Sequence, residues 1–386
     1  MAFGSGGARV AESAKARIRR ASLLRNEDFR LLLEQTSVGD IAVQLGKSAY
    51  APMLKGHVLE SMRRSELEFL LNVSILAEGV AFGHYTGLGD KRLLNLWLEN
   101  FDVELLKNHF QTHMKTSEWG DHLDPGKMLD LVSDFRLTLV DQEKLSSSDT
   151  LKDILMSVRS ESLRSAMMEA VPGGERALAS WEGDLQRITF ALGMILDRYY
   201  FDNLYAAVAR LGGDEGRMMR MLVGTRVDLM NLYWIYRARR FFDKSPEEAL
   251  TLIMKARYRL DFGLLTRAAF ADPRAMAAAL EGTPYARVFD ARVENSEDGS
   301  GALKSEALKG EALYEVGVER NIYRFLFAVA ERVFLSGALG FQNVAAYLVL
   351  KELEVRDLVA VVEMVRYGFD KNRIDLILVR TLGKEN

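Results

Sequence analysis

The chain has 386 residues, of which 48% are hydrophobic and 27% are charged, so it can bury sizeable cores and is not of the disordered class. Its formal net charge of −3 at pH 7 gives no overall field for holding nucleic acid. It contains no cysteine, which excludes disulfides, thiolate metal sites and thiol nucleophiles.

The N-terminal region carries basic residues at helical intervals and no apolar run of signal-peptide length, so we expect a protein that is not exported. Along the rest of the chain, apolar residues recur three and four positions apart, and no clean period-two alternation occurs between hairpin turns. Ser245 and Asp272 each stand before a proline, as N-cap residues do at helix starts. These patterns predict an all-α protein.

Glycine-rich and polar stretches predict loops at residues 86–92, 146–149, 171–175 and 294–310. The stretch from Val333 to Leu350 is almost free of charge and approaches the length of a membrane span. Because Gly337, Gly340 and two amide side chains interrupt it, we predict two buried helices joined by a short turn instead.

Three acidic residues, Asp102, Asp228 and Glu354, are spaced 126 positions apart. Each is followed by apolar residues one, four and eight positions later, which line one face of a helix. The spacing predicts a repeat of a helical unit. The alternative is coincidence, since acids and apolar faces are common in helices.

A second pattern supports the repeat. Its N-terminal copy is Ile41, Leu45, Ser48 and Tyr50, and its second copy is Met276, Leu280, Thr283 and Tyr285. A degraded copy, Leu151, Leu155, Val158 and Ser160, keeps the spacing but loses the hydroxyl and the aromatic ring. The chain is too short for a copy of this pattern after Glu354. The N-terminal copy would take its place if the two ends of the chain lie together.

We therefore predict three related helical units with a rough threefold axis. The predicted boundaries are 10–58 for N-terminal helices that complete the third unit, 59–172 for the first unit, 173–292 for the second, 293–312 for a polar loop and 313–386 for the third.

The stretch "VDLMNLYWIYRARR" places Asp228, Asn231 and Arg237 in an otherwise apolar helix. We expect the acid at the start of the helix to interact favourably with the helix dipole. One turn later, Asn231 and the corresponding Asp357 are expected to satisfy donors of a neighbouring segment. Leu105 occupies this position in the first copy, so the arrangement must differ there.

Candidate catalytic sites are weak. His109 and His113 have the i, i+4 spacing of metal ligands, with His122 nearby, but the Glu of HExxH is missing, so surface histidines are the favoured interpretation. A helical metal-dependent enzyme is the alternative. The glycine-rich stretches do not continue as a phosphate-binding loop, and we expect no cofactor. The basic clusters at 17–20 and 237–240 are read as solvated faces or as contacts for an acidic partner.

Three segments resemble one family of V-type and archaeal-type ATPase components, named C in prokaryotes and d in eukaryotes. They are "AKARIRRASLLRNEDFRLLLEQTSVGDIAVQLGKSAY", "VDLMNLYWIYRAR" and "FQNVAAYLVLKELEVRDLVAVVEMVRYGFDKNRI". The family's pattern of a Tyr, apolar residues and Lys-Glu-x-Glu-x-Arg-Asn is matched by Tyr347, Lys351, Glu352, Glu354, Arg356 and Asp357, with Asp357 in place of the Asn. The family's Asp-x-x-Asn-Leu followed by Arg is matched by Asp228, Asn231, Leu232 and Arg237.

The resemblance implies an all-helical funnel of three domains on the cytoplasmic rim of a membrane proteolipid ring. It implies a non-catalytic, peripheral rotor subunit that receives the central stalk, formed by subunits of the D and F type, and transmits rotation. It implies no nucleic acid and no small-molecule substrate as partners. The alternative is a general helical scaffold that binds soluble proteins.

Overall fold

The computed structural model describes residues 5–114, 123, 125–171, 185–290, 307–337, 339–369 and 371–382. Within these ranges the regular structure is helical, and the single β contact is an isolated antiparallel bridge between Val140 and Val158. The prediction of an all-α protein is confirmed. Among the same residues, no helix combines the length and the apolar character that crossing a bilayer requires.

The helices of the first half of the chain are α1 (Ser5–Ala21), α2 (Asn26–Leu33), α3 (Val38–Leu45), α4 (Ala51–Leu54), α5 (Arg64–Phe82), α6 (Leu88–Met114), α7 (Pro125–Leu131), α8 (Gln142–Ser146), α9 (Leu151–Met156) and α10 (Glu161–Ala170). Those of the second half are α11 (Leu185–Ala209), α12 (Gly213–Phe241), α13 (Pro246–Leu252), α14 (Phe262–Phe270), α15 (Met276–Ala279), α16 (Ala286–Phe289), α17 (Ala307–Phe334) and α18 (Phe341–Tyr367). Short 3₁₀ turns occupy Leu59–Ser61, Pro273–Ala275 and Lys371–Leu376.

The chain divides into two compact units. The first contains Met1–Lys15 and Ala42–Arg210, and the second contains Ala16–Ile41 and Leu211–Asn386. The organisation into three units related by a threefold axis stays a prediction. Its boundary near residue 173 and most of the polar tract lie outside the described residues.

In the first unit the long helices α6 and α11 pack along each other. The buried Tyr200 donates its hydroxyl to the carbonyl oxygen of Trp97 at 3.2 Å. The ammonium group of Lys107 lies 2.9 Å from the carboxylate of Glu104 and also pairs with Asp197 on the facing helix. Apolar packing and a partly buried ion pair therefore join the two helices.

In the second unit α12 and α18 lie side by side and run in the same direction. Near their starts the backbone N–H of Phe341 donates to Glu215 at 2.9 Å, and farther along Arg226 pairs with Glu352 at 2.8 Å. The partners in both pairs are 126 positions apart. The two contacts therefore have the same offset along the chain.

The N-terminal part of the second unit is bound to the C-terminal helices. The guanidinium of Arg20 bonds to Glu331 on α17, with its Nε at 3.1 Å. The backbone of Leu24 donates to Glu354 at 2.5 Å and accepts from Arg380 at 3.1 Å. Residues distant in sequence therefore share one core here.

Several local predictions are confirmed. Ser245 accepts from the backbone N–H of Glu248 at 3.2 Å, and Asp272 accepts from that of Arg274 at 2.8 Å, so both are caps. The almost uncharged stretch from Val333 to Leu350 is divided between α17 and α18. Asn343 donates to the carbonyl of Phe334 across the turn at 3.1 Å. A buried side chain thus fixes the reversal of the chain.

Two predicted loops are partly wrong. Residues 86–92 are not all loop, because α6 begins at Leu88 and its first turn carries Asp90, a favourable position for an acid. The end of the polar tract, residues 307–310, already belongs to α17. Both stretches contain the start of a helix, which their glycine and charged residues did not indicate.

Buried aspartates as the candidate functional site

Asp228 lies in the interior of α12 and is fully buried. Its Oδ1 accepts from the backbone N–H of Tyr258 at 2.9 Å, and its Oδ2 accepts from that of Arg259 at 2.8 Å. The prediction that this acid stands at the start of its helix is wrong, because α12 begins at Gly213, about four turns earlier. Its carboxylate therefore holds the segment that follows the helix, not the helix N-terminus.

Asn231 lies one turn farther along α12 and is also fully buried. Its Oδ1 accepts from the backbone N–H of Met254 at 2.7 Å, and its Nδ2 donates to the carbonyl of Ala256 at 3.2 Å. Backbone groups of one non-helical stretch thus bond to both the oxygen and the nitrogen of the amide. Together, Asp228 and Asn231 fix residues 254–259 along the helix.

Tyr285 completes this cluster. Its hydroxyl donates to Oδ2 of Asp228 at 2.8 Å, so the carboxylate accepts three hydrogen bonds. Burial raises the pKa of Asp228 above its ordinary value, and these hydrogen bonds oppose that rise. Burial and the neighbouring charge of Asp228 raise the pKa of Tyr285, which stays protonated and acts as a donor.

Asp102 occupies a comparable place in the interior of α6. It is buried, and its Oδ2 accepts from the backbone N–H of Leu139 at 2.6 Å. Burial raises the pKa of Asp102 to about 7, and the charge of nearby Glu99 adds to the rise. The buried Leu105 replaces the amide here, so Asp102 holds its segment without the second polar link.

Asp357 is the buried aspartate of α18 and matches Asn231 in the 126-residue spacing. It accepts from the backbone N–H groups of Val379 at 2.8 Å and Arg380 at 3.2 Å, and the Nε of Arg380 lies 3.2 Å from the same carboxylate. Burial raises its pKa, while Val379 and Arg380 oppose the rise. Arg380 also stacks on the ring of Phe29, with its guanidinium carbon 3.5 Å from the ring centre.

The third acid of the spacing pattern, Glu354, has a different role. Its side chain is buried, and besides Leu24 it binds Lys351, whose Nζ lies 3.1 Å away. Its backbone donor, Leu24, lies in the N-terminal part of the chain and not in the segment after α18. Asp357 keeps the spacing of Asn231, since it accepts from Val379 22 positions later and Asn231 accepts from Met254 23 positions later.

The three aspartates share one arrangement. Each lies inside a long helix and binds backbone N–H groups of the segment after that helix, 37, 30 to 31 and 22 to 23 positions farther along. Buried backbone donors need such acceptors where no regular secondary structure supplies them. The arrangement fastens a non-helical connection to each helix.

The two arginines singled out in the sequence pack against aromatic rings. The guanidinium of Arg356 lies 3.8 Å from the ring centre of Tyr323 and donates to Glu319 at 2.8 Å. Arg237 lies over Tyr233 at 5.6 Å. Arg356 therefore joins α18 to α17, whereas this contact of Arg237 lies within α12.

Tyr50 and Tyr285 sit in matching turns. The hydroxyl of Ser48 donates to the carbonyl of Leu45, and that of Thr283 donates to the carbonyl of Leu280, both at 2.7 Å. Each hydroxyl also accepts from the tyrosine N–H two positions later, at 3.2 Å in both turns. Tyr50 (φ −86°, ψ −8°) and Tyr285 (φ −89°, ψ −13°) each precede a four-residue helix.

The degraded copy keeps the turn without the hydroxyl. The backbone N–H of Val158 donates to the carbonyl of Leu155 at 3.1 Å, as the corresponding residues do in the other two copies. Ser160, at the tyrosine position, is again an N-cap and accepts from Leu163 at 3.4 Å. Backbone geometry is thus retained where the side-chain chemistry has changed.

The predicted histidine pair falls only partly within the described residues. His109 is buried within α6, whereas the side chains of His113 and His122 lie outside the described part of the structure. Within the described residues, no group of three or more His, Asp or Glu side chains has the geometry to hold a metal ion.

Long helices held by buried carboxylates define an all-helical protein, and comparison with known proteins identifies its family. The family described as ATP synthase (C/AC39) subunit matches residues 13–376, so the chain belongs to that family.

Curated relatives are each named as the C subunit of an A-type ATP synthase. The chain is 22% identical over 344 residues to the protein of Methanosphaera stadtmanae, covering 85% of this chain and 78% of the relative. It is 23% identical over 360 residues to that of Pyrococcus horikoshii, covering 92% and 85%. The match to the Methanobrevibacter smithii protein is 24% identical and spans 62% of this chain and 57% of that relative.

Proposed function

We propose that this protein is a non-catalytic central-stalk subunit of an archaeal-type or V-type rotary ATPase. It links the stalk of the soluble ATPase sector to the membrane proteolipid ring and transmits rotation coupled to proton or sodium transport. The observation that carries the proposal is the family match over residues 13–376, together with relatives named as the C subunit of A-type ATP synthases.

The packing of the long helices supports a role in transmitting torque. A coupling element must resist deformation, and close-packed helices with interlocked side chains have low compressibility. Asp228, Asn231 and Tyr285 add buried polar links between α12 and the segments after it. Separating such groups would leave them unpaired in a low-dielectric interior, which costs free energy.

The proposal includes partners and a location. The partners are central-stalk subunits of the D and F type and the proteolipid ring, and they do not include nucleic acid or a small-molecule substrate. The protein is peripheral, on the cytoplasmic face of the membrane.

Isolation of the tagged chain from its own cell tests the proposal. Membranes are solubilised gently, and the co-purifying polypeptides are identified by mass spectrometry. Recovery of a proteolipid together with catalytic and stalk ATPase subunits is expected. Recovery of soluble proteins alone would contradict the proposal and favour a general helical scaffold.

A further inference from the structure

A cavity of about 170 Å³ lies in the second unit, between the end of α1 and the helices α17 and α18. Its walls come from four parts of that unit, which are residues 20–26, α17 at Phe327, α18 between Leu350 and Asp357, and residues 379–380. Pockets for drug-sized ligands have volumes of roughly 300–1,000 Å³. This cavity therefore suits a small molecule and not a nucleotide.

Two carboxylates line the cavity, and both are engaged in hydrogen bonds. The two oxygens of Asp357 accept from the backbone N–H groups of residues 379–380 at 2.8 and 3.2 Å. Oε2 of Glu354 accepts from the backbone N–H of Leu24 at 2.5 Å, and its Oε1 accepts from Nζ of Lys351 at 3.1 Å. Each carboxylate oxygen in the wall therefore already has a donor.

Three arginines line the same cavity and keep unused N–H groups. Arg380 donates its Nε to Asp357 at 3.2 Å and its Nη1 to a backbone carbonyl at 3.1 Å. Arg20 donates its Nε and Nη2 to Glu331. Within the described part of the chain, Nη2 of Arg380, Nη1 of Arg20 and the whole guanidinium of Arg25 make no hydrogen bond. Donors are thus available at this cavity.

The charges at the cavity balance, so net charge does not select a ligand. Asp357, Glu354 and Glu331 each pair with a cation, at 3.2, 3.1 and 2.5 Å. Asp28 accepts from the backbone N–H of Arg25 at 2.7 Å, and its charge offsets that of the arginine. Hydrogen bonding decides instead, because the guanidinium groups have free donors and the carboxylates of the wall are already bonded.

The rest of the wall is mostly apolar. Asn26 donates its Nδ2 to the carbonyl of Thr381 at 3.0 Å, which leaves only the neutral amide oxygen as a free acceptor among the lining side chains that the structure describes. The apolar lining residues are Leu23, Leu24, Phe327, Leu350, Leu353 and Val379. A ligand would therefore meet guanidinium donors on one side and hydrocarbon on the other.

We propose that this cavity binds a small carboxylate with a short hydrocarbon chain. A guanidinium group binds a carboxylate in two-point geometry, and the leucine side chains remove the hydrocarbon from water. A neutral alcohol would leave the arginine donors unused, and a bare inorganic anion would leave the apolar wall uncovered. Such a ligand is held and not transformed, and its binding is independent of the proposed coupling role.

Binding has a structural consequence, because the wall joins segments that are distant in sequence. Arg20 and Arg25 belong to the N-terminal segment, whereas Leu353 and Arg380 belong to the C-terminal part of the second unit. A ligand that binds only the folded unit stabilises it by mass action. The carboxylate therefore fastens the N-terminal segment to the C-terminal helices.

Isothermal titration calorimetry of the full-length chain with sodium butyrate, at constant ionic strength, tests the site. We expect one saturable site with a Kd of about 1 mM, as befits a ligand of few atoms. Butylammonium reverses the charge and inorganic phosphate lacks the hydrocarbon chain. Both should bind at least about tenfold more weakly than butyrate.

Two variants locate the binding. Arg25→Gln removes the guanidinium group that makes no hydrogen bond, and it should weaken butyrate binding about tenfold or more without changing the thermal melt of the free chain. Arg257→Gln is the matched control with unchanged affinity, since Arg257 is also exposed and has no bonding partner among the described residues. Leu23→Trp keeps every charge but adds volume at the wall, and it should also weaken binding.

Hydrogen exchange with and without butyrate gives a second measurement. Slower exchange confined to residues 20–30, 350–357 and 379–382 supports the site. Three results would each overturn it: no saturable butyrate binding, equal binding of butylammonium or phosphate, or equal affinity of Arg25→Gln and the wild type.

Discussion

The hydroxyl of Tyr285 lies 2.8 Å from a carboxylate oxygen of Asp228, a residue 57 positions earlier in the chain. Both side chains are buried, and the same carboxylate holds two backbone N–H groups of the segment between them. One carboxylate thus joins the long helix α12, the segment after it and the turn before α16. Loss of the hydrogen bonds of this carboxylate should therefore destabilise all three elements.

Removing the phenolic hydroxyl tests this link. Tyr285→Phe keeps the ring and its packing but leaves Asp228 with one donor fewer, so we expect the free energy of unfolding to fall by about 1–2 kcal/mol. The measurement is urea unfolding followed by circular dichroism. Tyr367→Phe is the control, since Tyr367 is 64% exposed and should change stability very little. Equal stability of both variants and the wild type would contradict the assignment.

Asn231→Leu tests the second polar link. The substitution leaves the N–H of Met254 and the carbonyl of Ala256 without their partner, so we expect a loss of about 1–3 kcal/mol in the free energy of unfolding. The reciprocal variant Leu105→Asn buries an amide where the first copy has a buried leucine, and it should also destabilise. A Leu variant as stable as wild type would show that these bonds carry no net free energy.

A substitution at Gly224 tests how closely the segment 254–259 approaches α12. A Cβ at this position would lie 2.6 Å from Cβ and Cγ of Tyr258, so Gly224→Ala should destabilise by about 1–3 kcal/mol although alanine favours helices. Gly193→Ala in α11 is the matched control, because its nearest neighbour is 4.0 Å away. That variant should gain about 0.5–1 kcal/mol. Stabilisation at both positions would refute the close approach.

Asp102 should make stability depend on pH. Burial raises its pKa from 3.8 to about 7, so between these values the folded chain retains a proton that the unfolded chain releases. The unfolding free energy therefore falls as pH rises through this interval, by as much as about 4 kcal/mol for this group. Asp102→Asn, which cannot ionise, should lack this part of the dependence.

The measurement is urea unfolding of wild type and Asp102→Asn from pH 4.5 to 7.5. The difference between their unfolding free energies should change steadily in favour of the variant as pH rises. Asp214→Asn serves as the control, because the side chain of Asp214 is 72% exposed. Parallel curves for wild type and Asp102→Asn would show that Asp102 does not titrate in this range.

Features encoded by nearby residues could be predicted from the sequence. The all-α class follows from apolar periodicity, and the caps at Ser245 and Asp272 follow from a side chain that bonds two or three positions ahead. The turn between α17 and α18 was predictable because glycine and amide residues interrupt an apolar run. Each of these signals lies within a few residues of the structure it specifies.

Features that depend on distant bonds could not be read in the same way. The start of α12 was misplaced because its N-cap, Gly212, offers no side-chain signal, so Asp228 was taken for the first polar step. Glu354 was selected by spacing, but its bond to the backbone of Leu24, 330 positions earlier in the chain, could not be predicted from that spacing. A carboxylate that binds backbone groups 20 to 40 positions away produces no periodic pattern in the sequence. The only signal near such a residue is the apolar helix face beside it.

The central proposal is that this chain links the ATPase sector to the proteolipid ring, and reconstitution tests it most directly. Membrane vesicles from cells that lack the chain are supplied with ATP, and acidification or sodium uptake is measured before and after adding the purified protein. We predict no ATP-driven transport without the chain and its restoration on addition of the wild-type protein. Transport that proceeds equally well without the chain would contradict the account.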